Sequence, residues 1–257
     1  MRGTLPLAGQ SALVTGGGAG LGFAIANAMA GAGAAVMIMD IDAAQAKRAT
    51  ERLRDRGADA CAMQGSVAVS EDVERVFAAF DEEFGRLDIL VNNAGISANA
   101  PTLELSDEAW DNAIAINLRG PFLCARAAGK RMVAQGGGVI LNTASIYGVV
   151  AAPNRLAYCA SKSALCMMTK ALALEWGLAG VRVNAVAPGY VRTTLVERLV
   201  AEGKLDLEKL AARTPMGRLA EPEEIADAAV MLCTPGARFI TGQIVGVDGG
   251  WTANGYL

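Results

Sequence analysis

The stretch S-A-L-V-T-G-G-G-A-G-L-G from Ser11 to Gly22, continued by F-A-I-A-N-A-M-A-G-A to Ala32, decides the fold. Ser11 to Thr15 is a short apolar run of strand type, and from Leu21 to about Ala32 the apolar residues follow a helical pattern. Between them stands a turn of glycines. Strand, glycine loop and helix in this order form a phosphate-binding arrangement, because the first N–H groups of a helix have no partner within it and face an anion. Gly16, Gly20 and Gly22 let the backbone turn tightly, approach a pyrophosphate and seat the helix on the sheet. The spacing, G-x-x-x-G-x-G, is a variant of the usual dinucleotide loop.

Outward from this unit, Ala34 to Met39 reads as a second strand ending at Asp40, eighteen residues after Gly22. A carboxylate there accepts hydrogen bonds from adenosine ribose hydroxyls. Alternatively Asp40 caps the next helix, but Asp42 with Gln45 three residues on resembles a capping box and leaves Asp40 free. Asp40 would repel a ribose 2′-phosphate by about 4 kcal/mol per charge pair at about 4 Å in a surface-like dielectric. No Arg or Lys stands at Gly17, Gly18, Ala19 or Ile41 to reverse this, so NAD is expected over NADP.

The alternation continues. A helix from Ala43 to Arg56, a strand from Ala58 to Met63, the turn Gly65-Ser66-Val67 and a helix from Glu71 to Phe84 precede a fourth strand, Leu87 to Val91. Asn92-Asn93-Ala94-Gly95 follows, where small residues let a flat ligand lie on the backbone and the asparagines tie neighbouring strands. Ser106-Asp107-Glu108 opens a helical stretch to about Met132, in which Asn117 marks a local break or a functional contact. Strand Val139 to Thr143 delivers Ser145, and a helix runs from Leu156 to Trp176. A sixth strand, Val181 to Ala187, ends at Pro188-Gly189; a helix from Pro222 to Cys233 and a strand from Ile244 to Val247 lead to Asp248-Gly249-Gly250. This predicts one α/β domain over residues 1–257, a Rossmann-type doubly wound parallel sheet of about seven strands with helices on both faces.

Composition agrees and excludes other classes. Hydrophobic residues make up 53% of the 257 residues and charged ones 19%, with 30 glycines, which suits a sheet covered on both faces. The net charge of -3 and the lack of basic clusters with interleaved aromatics argue against a nucleic-acid partner. With no histidine, Ser-His and Cys-His nucleophiles are excluded, and no metal site is expected. Cys61, Cys124, Cys159, Cys166 and Cys233 show no paired spacing and read as reduced thiols of a cytoplasmic protein. Cys159 neighbours Tyr158 but points off its helix face. The first ten residues, M-R-G-T-L-P-L-A-G-Q, have no apolar signal region. Two uncharged runs, Phe23 to Met39 and Met132 to Asn154, switch period midway and read as helix, turn and strand in a core, not as membrane spans.

The chemistry is read in S-I-Y-G-V-V-A-A-P-N-R-L-A-Y-C-A-S-K, Ser145 to Lys162. Tyr158 and Lys162, four apart, share one helix face with Cβ atoms about 5 to 6 Å apart. A free tyrosine, with a pKa of about 10, is a poor base at neutral pH; a nearby cation favours the phenolate. Ser145 is placed to donate a hydrogen bond to an oxygen held by Tyr158. The result is an acid/base site without histidine.

T-G-G-G-A-G-L-G from Thr15, N-N-A-G from Asn92, Asn117, Ser145, Tyr158 with Lys162, P-G-Y-V-R-T from Pro188 and D-G-G from Asp248 occur in an order and spacing that resembles the short-chain dehydrogenase/reductase family over nearly the whole chain. The resemblance implies that Tyr158 is general base for alcohol oxidation and acid for ketone reduction. It implies that Ser145 polarises the substrate oxygen, that Lys162 lowers the tyrosine pKa and bonds the nicotinamide ribose, and that Asn117 holds a relay water. Hydride would pass directly between nicotinamide C4 and the substrate carbon. The dinucleotide would lie along Gly16, Gly18, Ala19, Gly20, Leu21, Gly22, Asp40, Ile41, Ser66, Val67, Asn93, Ala94 and Gly95. It would continue past Tyr158 and Lys162 to Pro188, Gly189, Val191 and Thr193, the last pair binding the carboxamide. The family commonly has Asp-Val where this chain has Ser66-Val67, which puts a strong adenine contact from Ser66 in doubt.

Ile96, Ser97, Asn99, Tyr147, Asn154 and Tyr190, with a helical lid at 194–213, are expected to form the substrate pocket. If they line it, their polarity suits a sugar, a polyol or another hydroxylated secondary alcohol; the alternative is that half of them face solvent. The apolar tail, 248–257, would in family terms lie at a subunit contact of a homotetramer. Two other functions stay open: a 3-oxoacyl-thioester reductase, against whose usual NADPH Asp40 counts, and a non-catalytic NAD-binding sensor or scaffold, which would be free to lose Ser145, Tyr158 or Lys162.

Overall fold

The computed structural model describes residues 5–203 and 205–255. Residues 1–4 of the N-terminal reading, Lys204 of the lid and 256–257 of the tail lie outside the described residues. Strands β1 (Ser11–Thr15), β2 (Ala35–Asp40) and β3 (Ala60–Gln64) alternate with helices α1 (Gly20–Gly31), α2 (Ala43–Arg54) and α3 (Ser70–Phe84). Then come β4 (Ile89–Asn92), α4 (Asp107–Ile114), a π-helical turn (Ala115–Arg119), α5 (Gly120–Ala134), β5 (Gly138–Thr143), α6 (Leu156–Trp176) and β6 (Val181–Pro188). The chain closes with α7 (Thr194–Ala201), α8 (Leu207–Arg213), α9 (Pro222–Cys233) and β7 (Ile244–Val247).

The strands form one parallel seven-stranded sheet in the order β3-β2-β1-β4-β5-β6-β7. Its two faces are built by the period of 2 along each strand. Ala12 and Val14 of β1 and Val36 and Ile38 of β2 pack with Ile25 and Met29 of α1, Leu53 of α2 and Ile225 and Leu232 of α9. Leu13, Met37 and Met39 point the other way, onto Phe77 and Phe80 of α3, Leu123 and Met132 of α5 and Ala173 of α6. Burial on both sides is why the strands read as continuous apolar runs.

Strand order reverses between β1 and β4, so the chains leaving their carboxyl ends diverge and open a crevice there. The helical stretch expected from Ser106 to Met132 is α4 and α5 joined by the π turn, with the flagged Asn117 at its centre. Among the described residues no helix is long and apolar enough to cross a membrane. The five cysteines are free thiols, and burial raises those of Cys124 and Cys233 to about 12.

Candidate active site

At the crevice, two loops are stitched together. Thr15 Oγ1, at the last position of β1, accepts from the N–H of Asn93 (3.0 Å) and Ala94 (3.1 Å). Asn93 Nδ2 donates back to the carbonyls of Thr15 (3.1 Å) and Gly16 (3.2 Å). Thr15 was not singled out by the sequence reading; its signal is a hydroxyl at the end of a buried strand. The neighbouring Asn92 donates to Asn142 Oδ1 of β5 at 2.9 Å, so Asn92 and Asn93 together tie the ends of β1, β4 and β5.

The glycine loop is shaped for close approach. A Cβ on Gly22 would lie 2.0 Å from the Gly16 carbonyl oxygen and 2.5 Å from Asn93 Nδ2. The N-terminus of α1 has no side-chain cap and no acidic residue in its first turn, leaving Ala19, Gly20, Leu21 and Gly22 to present backbone N–H groups to an anion. These features fit the pyrophosphate of a dinucleotide.

Asp40, at the carboxyl end of β2, is not free as expected. Its Oδ2 accepts from Gly18 N (2.9 Å) and its Oδ1 from Asp42 N (3.0 Å). Asp42 caps α2 by accepting from Ala44 N and Gln45 N, but Gln45 reaches the Asp42 side chain at 2.8 Å instead of the Asp42 N–H, so the reciprocal half of the box is not made. The two N–H bonds fix the Asp40 carboxylate at the rim of the loop and leave it acceptor capacity, since a carboxylate has about four lone-pair sites. Ile41 beside it is exposed. Ser66 is turned inward to its own loop, its hydroxyl accepting from Ala68 N (3.3 Å), and Val67 is buried against Gly120.

Tyr158 and Lys162 project from one face of α6, with Lys162 Nζ 5.7 Å from the Tyr158 ring centre. Lys162 is buried and donates to the Thr143 carbonyl at 2.7 Å; burial lowers its pKa to about 8, opposed by Cys166. For Tyr158 the direction is the reverse of that expected from its spacing to Lys162. Burial of the phenol raises its pKa, while a hydrogen bond with Ser145 and the charge of Arg155 pull it back only in part. Ser145, buried at the end of the chain leaving β5, also accepts from Tyr147 N at 3.1 Å and so starts the short helical turn Ile146–Gly148.

Asn117 is fully buried in the π turn. Its Oδ1 accepts from Ile96 N (2.8 Å), and its Nδ2 donates to Ile96 O (2.9 Å) and Ser161 Oγ (3.2 Å). The side-chain amide thus clamps the segment after N-N-A-G against α6. Gly95 makes room for this clamp, because a Cβ there would be 3.2 Å from Asn117 Oδ1 and 3.5 Å from Lys162 Nζ.

The expected pocket residues divide. Tyr147 is buried and Tyr190 half-buried, their hydroxyls 2.8 Å apart. Their rings meet edge to face, Tyr147 also meets Tyr158 edge to face, and Tyr190 leans on Trp251 of the tail with ring centres 5.2 Å apart. Ser97, Asn99 and Asn154 are exposed. Asn154 contributes backbone, with a positive φ of 61° and a carbonyl that accepts from Ala100 N at 3.0 Å. Thr193 caps α7 by accepting from Val196 N at 3.3 Å, and Val191, after Pro188-Gly189, is buried.

Residues 192–220 run out just past β6 and return beside it at Val191. Val191 bridges to Ala220, and Arg192 N donates to Ala220 O at 2.8 Å, so α7 and α8 form an excursion closed at its base. Arg213 ties that excursion to the tail through the carbonyls of Trp251 (3.4 Å) and Asn254 (2.8 Å). Arg155 is a site neighbour that the sequence reading did not name; Trp251 belongs to the tail, which the family resemblance sets near the substrate mouth.

A family model described as enoyl-(acyl carrier protein) reductase matches residues 16–252. The chain is 41% identical to a galactitol 2-dehydrogenase (L-tagatose-forming) of Cereibacter sphaeroides, over 96% of each chain. It is 46% identical to a D-threitol dehydrogenase of Mycolicibacterium smegmatis, over 76% of each. Among solved structures, a gluconate 5-dehydrogenase from Burkholderia cenocepacia, in complex with NADP and tartrate, superposes with a TM-score of 0.92 at 36% identity, over 98% of each chain.

Proposed function

The chain belongs to the short-chain dehydrogenase/reductase family, as an oxidoreductase acting on hydroxyl groups, and from that premise we propose that it is a cytoplasmic, NAD-dependent enzyme interconverting a hydroxylated secondary alcohol, of sugar or polyol type, with its ketone. The observation that carries this reading is the convergence of Ser145, Tyr158 and Lys162 at the carboxyl edge of the sheet, beside an uncapped helix N-terminus. A bound nicotinamide dinucleotide supplies hydride transfer. In the oxidative direction Tyr158 takes the carbinol proton and Ser145 holds the oxygen. In the reductive direction Tyr158 returns the proton to the carbonyl oxygen. Lys162 bonds the nicotinamide ribose and, as a cation, favours phenolate at Tyr158. Asn117 holds the floor of the site through Ile96 and Ser161.

Asp40, fixed beside Gly18, accepts from ribose hydroxyls and disfavours a 2′-phosphate. The test is NADH formation at 340 nm with NAD and with NADP against polyols, aldoses, simple secondary alcohols and 3-hydroxyacyl thioesters. Turnover of a polyol or sugar with NAD, about a hundredfold above NADP, is expected. Turnover of the thioester with NADP would overturn both the cofactor and the substrate reading.

The proposed assembly is a homotetramer. β7 is one of the two edge strands of the sheet, Phe239 just before it is fully exposed, and Met231 of α9 is nearly half exposed. An apolar group so placed beside a sheet edge suits a second copy of the chain. Light scattering is expected to give a tetramer for the native chain and a smaller species for Phe239→Asp; an unchanged mass for the variant would remove this face from the contact.

A further inference from the structure

Arg155 breaks two local rules at once. It occupies the position before the first turn of α6, where a small acceptor side chain is favoured, and it makes no capping bond there. It also places a positive charge at the positive end of a helix of 21 residues, the end that disfavours a cation. Arg131, Arg192 and Arg218 pair with Asp81, Glu221 and Glu224, whereas Arg52 and Arg126, away from the site, lie like Arg155 over aromatic rings. Among the described residues no carboxylate pairs with Arg155.

Its guanidinium lies instead 5.2 Å over the centre of the Tyr147 ring. That ring is edge to face with Tyr158 at 6.5 Å between centres, and its hydroxyl meets that of Tyr190. Arg155 therefore stands one ring away from the reacting phenol, and its charge lowers the pKa of Tyr147 and Tyr158 against the burial that raises both. At the far end of the same aromatic row, Arg213 lies 5.1 Å over Trp251. The nearby Asp248 carboxylate is engaged within its own turn, by Gly250 N and Thr252. The row Tyr147, Tyr190 and Trp251 is thus flanked by two cations. A half-buried, unpaired guanidinium beside a reacting group is a local conflict of the kind that function retains.

We propose that Arg155 receives a carboxylate of the substrate, and that the substrate is accordingly a hydroxylated carboxylic acid in preference to a neutral polyol. This rests on Tyr158 being the acid/base group, and it narrows the substrate class at that site. An arriving carboxylate takes a paired hydrogen bond from the guanidinium fork and relieves the cation at the helix start. Its carbinol carbon, farther along the same molecule, then lies toward Tyr158.

The experiment uses matched pairs with the native chain and NAD: gluconate against glucitol, galactonate against galactitol, threonate against threitol. The acids are expected to have the higher kcat/KM. Arg155→Gln should lower kcat/KM for the acids about thirty- to hundredfold more than for the alditols, mostly through KM, on top of a smaller loss in kcat, common to both, from removing its charge near Tyr158, with Arg155→Lys recovering part of both losses. If no acid turns over, saturable quenching of tryptophan fluorescence by the same acids in the presence of NADH is read instead, with the same loss expected in Arg155→Gln. Equal effects on acids and alditols, a native preference for alditols, or the absence of saturable acid binding would overturn the assignment. A change in oligomeric mass without a change in acid selectivity would show that Arg155 pairs with a neighbouring subunit instead, and would also overturn it. Tyr158→Phe, which removes the acid/base group from acid and alditol alike, separates failure of this assignment from failure of the reading beneath it.

Discussion

Replacing Tyr158 by Phe is expected to lower kcat about a thousandfold or more in both directions while the dissociation constant for NADH changes by less than about threefold. The ring keeps its edge-to-face contact with Tyr147 and its place on α6, so what is lost is the hydroxyl alone. A positioned acid/base group contributes about 10²- to 10⁴-fold, and a thousandfold is about 4 kcal/mol of barrier. The pH dependence carries the same signature. Burial raises Tyr158 above its ordinary value of about 10. The phenolate needed for oxidation is therefore the minor form at neutral pH, and the oxidation rate should climb with pH. Lys162 loses its charge above about 8 and with it the support for phenolate, so the climb should flatten beyond that point. Reduction, which uses the protonated phenol, should persist to higher pH. Stopped-flow rates from pH 6 to 10 check this, and unchanged function in Tyr158→Phe would favour the non-catalytic sensor instead.

The second large effect is expected from one methyl group. Gly22→Ala places a Cβ 2.0 Å from the Gly16 carbonyl oxygen, a backbone atom that cannot swing aside as a side chain can. The loop or α1 must shift, and overpacking of this kind costs about 1–3 kcal/mol or more. The thermal midpoint should fall by roughly 5–10 °C, and binding of NADH, read by fluorescence, should fall below detection. Gly20→Ala is the control. Gly20 has a φ of 52° but nothing within 4 Å of its Cβ position, so only the left-handed backbone is penalised, by about 1 kcal/mol. If Gly22→Ala binds NADH as well as Gly20→Ala does, the loop does not hold the pyrophosphate.

Where the sequence was legible, a local rule was enough. Each expected strand is present within about two residues, because runs such as A-V-M-I-M bury both faces and end at glycine, asparagine or aspartate. The Tyr158–Lys162 face follows from helix geometry alone. Other features depend on partners distant in the chain. That β4 lies beside β1, and that Asn93 and Thr15 stitch them, is a matter of sheet order, which periodicity does not encode. Asn117 was marked by its low helix propensity, but its partners, Ile96 and Ser161, lie 21 and 44 residues away. The sign of the shift at Tyr158 was missed because spacing shows the cation and not the burial that opposes it. Ser97 and Asn99 are placed at the pocket by following N-N-A-G, and Asn154 by preceding Tyr158, but how far each stands in solvent depends on loop paths that position in the chain does not set.

The bond between Gly18 N and Asp40 also constrains descent. A Cβ at position 18 would stand 2.8 Å from Asp40 Oδ2 and 3.1 Å from Ala46 N, so the first atom of any side chain there competes with the carboxylate for the same space. A basic residue at position 18 is disfavoured while Asp40 persists. Relatives with a basic residue at position 18 should then be reached through intermediates already altered at position 40, and reconstructed ancestors should show these two changes in a fixed order.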